Sequence, residues 1–171
     1  MPLHFYKPHP LLCDIVHSTI IIQEDFNPAN PFPIGLFPPV PDHSLQFYPR
    51  EGVLEHKLDG RNIIHGKSIV VPSCTQRIDL SLPYQYTCIR VGFQPGGLYR
   101  LLNLPMHKIL DNAFDGEEIF GNQIKDVNDQ LQKTQDFDAM NNLVEIFLLS
   151  HKGSRKIAID NNANGTAQRG Y

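Results

Sequence analysis

A chain of 171 residues, 41% of them apolar, with a formal net charge of −3, is expected to form one globular domain around a single core. No apolar run approaches the roughly 20 residues that a helix needs to cross a bilayer, and the mild acidity argues against nucleic-acid binding by this segment, since that affinity rests mainly on phosphate neutralisation. The opening Met1-Pro2-Leu3-His4 has no basic-then-apolar leader, and Cys13, Cys74 and Cys88 can neither all pair nor form a C-x-x-C, so reduced thiols and a cytoplasmic location are expected.

Leu11 to Ile22 is apolar and increasingly β-branched, which predicts a strand. Six prolines then fall at Pro28, Pro31, Pro33, Pro38, Pro39 and Pro41, a density that forbids both helix and central strand. A surface loop follows from that, read as a rigid connector in preference to a lid or partner-binding strip. Ser44 to Pro49 alternates, with Leu45 and Phe47 on one face and Gln46 and Tyr48 on the other. Val53 to Leu58 and Arg61 to His65 flank Asp59-Gly60, a strong hairpin signal. A two-residue loop there pairs His56 with Ile63 and Leu54 with His65, and places both histidines on one face. Ser68 to Val71 and Arg77 to Leu82 add two further strands.

Thr87, Ile89, Val91 and Phe93 alternate with Cys88, Arg90 and Gly92, as in a strand with one buried face. The alternation stops at Gln94. Pro95 suits the first turn of a helix, Gly96 and Gly97 allow a sharp turn or close packing, and Leu98, Leu101 and Leu102 fall at helical spacing. Beyond this junction, Phe120, Ile124, Val127 and Leu131 predict one amphipathic helix starting near Glu117. Asp136 caps a second helix bearing Met140, Leu143, Val144, Phe147 and Leu148. Asp126, Asp129, Asp136 and Asp138 read as a solvated face. Residues 152–171 lose the apolar pattern and read as a flexible tail or linker.

Catalytic signatures are missing from this pattern. The chain contains no G-x-S-x-G, no G-x-x-x-x-G-K-[ST], no H-E-x-x-H and no H-x-H. His56 and His65 without a carboxylate nearby on the same strand make a weak metal site. No enzyme activity, metal or cofactor is therefore expected.

The segment Val91-Gly92-Phe93-Gln94-Pro95-Gly96-Gly97-Leu98-Tyr99-Arg100-Leu101-Leu102, with Leu104-Pro105 after it, resembles the N-terminal domain in a branch of the AraC-family bacterial transcriptional regulators. The Tyr6-Lys7-Pro8 start, Pro41-Asp42-His43 leading into a strand, and a closing helix with Leu148-Leu149 agree with it. The resemblance is a loose pattern from Tyr6 to Leu149. It implies an α+β fold, a cupin-like antiparallel β-barrel or sandwich over about residues 1–93 with a helical annex over about 95–151, together forming a ligand-sensing and dimerisation domain. It also implies a small-molecule effector, a homodimer formed through the C-terminal helices, and DNA contact only through a helix-turn-helix domain that this chain lacks. The alternatives are a stand-alone cupin-like enzyme and a plain small-molecule-binding protein, and a monomer whose helices both pack on the sheet.

Polar side chains interleaved with apolar ones on a strand face are the candidates for orienting a ligand. On that ground Tyr48, His56, His65, Arg77 and Arg90 are the expected ligand-binding residues. An arginine inside the pocket favours a carboxylate or phosphate-bearing ligand; the competing reading leaves each arginine exposed and paired with Asp79 or Glu55. A three-residue hairpin loop would separate the two histidines.

Overall fold

The structure is a computed structural model that describes residues 3–27, 35–37, 41–56, 60, 62–73, 78–103 and 113–152, of which 35–37, 54, 56 and 78 are described by backbone alone. Most of the proline-rich segment, Arg77, Cys74, Leu58, Asp59, Leu104-Pro105 and the tail from residue 153 lie outside those residues. Ten strands are described: β1 (Leu3–Tyr6), β2 (Val16–Asp25), β3 (Gly35–Phe37), β4 (Ser44–Phe47), β5 (Leu54–His56), β6 (Asn62–Ile64), β7 (Ser68–Val71), β8 (Ile78–Ser81), β9 (Gln85–Phe93) and β10 (Phe114–Asp115). Four helices accompany them: α1 (Gly97–Leu102), α2 (Gly116–Phe120), α3 (Asn122–Lys133) and α4 (Phe137–His151).

The strands form two antiparallel sheets. One has six strands in the order β1-β2-β9-β4-β7-β10, and the other has four in the order β3-β8-β5-β6. Strands β1 and β10 are opposite edges of the larger sheet and do not pair with each other, so the cupin-like β part is open and not closed into a barrel. With the helices after it, the fold is α+β. No described helix is long and apolar enough to cross a membrane.

Strand β9 sits between β2 and β4 and is buried along both faces, not one. Its Ile89, Val91 and Phe93 join Ile21, Leu45, Phe47 and Val70 in the main core beneath the helices. On the opposite face Cys88 and Tyr86 join Tyr48, Val53 and Ile69 in a smaller core, with Leu80 from the four-stranded sheet packed against it. The polar alternation of β9 thus marks which side meets the helices, and the polar-looking side is covered by the second sheet.

The β9–α1 junction uses its glycines in two ways. Gly96 has φ +72°, a conformation that costs other residues energy. At Gly97 a Cβ would lie 2.1 Å from the Ile15 carbonyl oxygen, so the helix start can touch the chain ahead of β2 only without a side chain. Pro95 lies in the turn before the Gly96 cap and not in the helical first turn.

Two other expectations change. Leu11 to Ile22 is not one strand, because Pro10–Leu12 forms a 3-10 turn and β2 begins only at Val16. The single helix expected from Glu117 is broken into α2 and α3 at Gly121, whose φ is +63°. Apolar spacing continues across that break, and periodicity alone therefore misses it. Asp136 does cap α4, its Oδ1 accepting from Ala139 N at 2.7 Å. The α4 stripe packs inward around Phe147, whose ring meets Phe47 and Phe120 edge-on at centroid distances of 6.2 and 5.2 Å. His151 closes this cluster at 4.4 Å from Phe147, its Nδ1 donating to the Phe147 carbonyl at 2.9 Å.

The first residues strap the same helix. The Tyr6 hydroxyl donates to Asp138 at 2.8 Å, and the His9 backbone N–H donates to Glu145 at 2.7 Å. Lys152, expected as the first tail residue, forms the C-cap of α4 and donates to the Leu11 carbonyl and to Asp14, the latter at 2.6 Å.

Candidate functional site

The β5–β6 register decides which side chains meet. Leu54 pairs with Ile64, Glu55 with Ile63 and His56 with Asn62, one position away from the pairing that a two-residue Asp-Gly loop demands. The consequence is a correction: His56 and His65 are not brought to one face. Glu55 takes the shared position instead, and His65 Nε2 lies 2.6 Å from Glu55 Oε2. The two side chains are 9% and 3% exposed, so this is a buried contact. With Glu55 ionised, the ring N–H donates to the carboxylate, a charge-assisted geometry. The His65 backbone N–H is held by the Val53 carbonyl at 3.0 Å, which continues the pairing past the end of β6.

Beside this pair opens a cavity of about 250 Å³. The four-stranded sheet supplies Glu55, Ile63 and Ile64, followed in the chain by His65 and Gly66; β7 supplies Ile69. Across the gap stand Ala113, Phe114 and Asp115 with Glu118 from α2. The cavity therefore lies between β6 and β10, each an edge of its own sheet, where a closed barrel would have continued. Asp115 joins the cavity to the annex: its Oδ1 accepts from Glu117 N at 2.7 Å and caps α2. The same carboxylate leans over Gly66, where a Cβ would come within 3.2 Å of Oδ2. Gly116 and Ser68 keep α2 tight on β7, since a Cβ at Gly116 would lie 2.4 Å from Ser68 Oγ.

The other expected site residues lie elsewhere. Tyr48 is 2% exposed in the smaller core and donates to Gln46 Oε1 at 2.6 Å. Desolvation raises its hydroxyl pKa well above the ordinary value, as it does for neighbouring Tyr86. Arg90 shares the β9 face with Cys88, but its guanidinium donates to Asp42 at 3.1 Å, with His17 Nε2 3.9 Å from the same oxygen. Its ion-pair partner is thus Asp42, not Asp79 or Glu55. Arg77 lies outside the described residues, and for His56 only the backbone is described. Of the expected residues with described side chains, Tyr48, His65 and Arg90, only His65 lines the cavity.

Glu55, Phe114, Asp115 and Glu118 are among the lining residues that sequence reasoning did not assign to the site. A charged residue set between Val53-Leu54 and His56 was the available signal for Glu55. The Asp115-Gly116-Glu117-Glu118 run reads locally as a helix start, and only the tertiary fold turns it toward β6. No group of three or more histidine, cysteine or acidic side chains is arranged to hold a metal ion among the described residues.

No family model matches the sequence, and no curated protein matches it. Among solved structures, the chain is similar to apo ToxT from Vibrio cholerae at 12% identity and a TM-score of 0.46, over 85% of this chain. The match spans 55% of the ToxT chain. A score below 0.5 at that identity carries no functional assignment.

Proposed function

We propose that this chain is the regulatory part of an AraC-type transcriptional regulator, sensing a small molecule and pairing with a second copy while a helix-turn-helix domain outside the chain contacts DNA. One observation carries the reading: the cavity has strands on one side and the cap of the annex helix α2 on the other. A molecule bound there touches both parts, and any difference in its affinity for two annex positions becomes a shift in their populations. The β9–α1 junction, with its Pro-Gly-Gly turn, supports the same assignment through the sequence resemblance.

A fusion tests it. The chain is placed ahead of a DNA-binding domain that holds its operator only as a dimer, and operator occupancy is followed by fluorescence anisotropy. The regulatory reading predicts half-occupancy at a concentration lower by about tenfold or more than for the DNA-binding domain alone. It also predicts a further change when Ala113→Trp fills the cavity. Occupancy indifferent both to the presence of the chain and to Ala113→Trp contradicts it and favours a plain binding protein.

A further inference from the structure

We infer that the molecule taken by this cavity is a small organic cation, an ammonium or guanidinium carried on a short apolar body; the inference rests on the sensing role proposed above. The described walls divide into two chemistries. Ile63, Ile69 and Phe114 offer apolar surface, while Glu55, Asp115 and Glu118 bring carboxylates from three different elements to one space. Among the described lining residues, His65 is the group able to carry positive charge, and it is bonded to Glu55 at 2.6 Å. Asp115 and Glu118 are exposed at the mouth, where they attract a cation from solution and repel an anion.

The anionic ligand expected from the arginines loses its support on the same geometry, since Arg90 is bonded to Asp42 and does not line the cavity. The volume of about 250 Å³, on the order of eight water molecules, is enough to take a short alkylamine. Because the walls are partly apolar, a bare metal ion would leave Ile63, Ile69 and Phe114 unused, whereas an alkyl chain covers them.

The test uses the full chain and three probes: n-butylammonium, butyrate and magnesium ion. Amide chemical shifts are followed during titration, with the signals of residues 63–66 and 113–118 as the readout. Saturable shifts with butylammonium, weakened severalfold by Glu118→Gln and absent with butyrate, are the expected result. Glu118 is exposed, so its substitution leaves the core intact and the variant is a fair control. Butyrate binding as well as or better than butylammonium overturns the inference, and so does magnesium saturating these amides where butylammonium does not. Titrations in which no probe moves these amides overturn it as well. None of those failures touches the fusion experiment, which needs no ligand and judges the sensing role separately.

Discussion

Cys88 and Tyr6 both hold their protons more tightly in the folded chain, for the same physical reason. Desolvation pushes the Cys88 thiol from an ordinary 9.0 up to about 12. Tyr6 rises from 10.0 to about 12, first through desolvation and then through its bond to Asp138. A pKa raised by folding stabilises fully below the unfolded value, and that stability is lost as pH rises through the folded one. The urea midpoint is therefore expected to fall between pH 9 and pH 12, and Cys88→Ala should remove part of that fall. Iodoacetamide at pH 8 should label exposed Cys13 and spare Cys88, read by peptide mapping. Labelling of Cys88 at the rate of Cys13 would show that the smaller core is open to solvent. At this scale alternation read the chain well. Leu45 and Phe47 do lie in one core and Tyr48 in the other. Partners were not legible, because Arg90 finds Asp42 and His65 finds Glu55 through register and tertiary approach, neither of which a single strand encodes.

Among the elements, the β9–α1 junction and α4 were legible because each carries its own local chemistry: a glycine in a left-handed turn, an aspartate at a cap. Asp136→Ala is expected to cost about 1 kcal/mol, as for N-cap losses elsewhere. Phe147→Ala removes the ring shared by three ring contacts, with Phe47, Phe120 and His151, and should cost about 3–5 kcal/mol. Equilibrium urea unfolding checks both, and a Phe147→Ala cost no larger than the cap loss would mean that the helical layer packs loosely. The β5–β6 hairpin was legible in existence and not in register. Asp-Gly suits several loop lengths, and one residue of difference exchanges every side chain between faces. The break at Gly121 was hidden for a related reason, as Phe120 and Ile124 keep helical spacing on either side of it.

For the whole molecule, the sequence left open a homodimer through the C-terminal helices or a monomer whose helices both pack on the sheet, and the apolar stripes of α3 and α4 bear on that choice. They are spent internally: Ile124, Leu131, Met140, Val144 and Phe147 are all in the main core. A pairing of two copies through these helices would use their outward side, such as α4 at Ile146. The cavity belongs to this scale as well. It exists because two sheets end beside each other, and no stretch of sequence contains that fact.

The cavity wall and the helical annex meet at the Asp115 carboxylate, which leans over Gly66 and caps α2. Amide hydrogen exchange on Gly66→Val compared with the unaltered chain tests directly whether this contact couples them. The added methyl groups occupy the space of the carboxylate, so exchange at Glu117 and along residues 116–120 should accelerate, with the change carried into the first turn of α3. Unaltered exchange across residues 116–124, alongside a clear change at residues 63–70, would contradict the account.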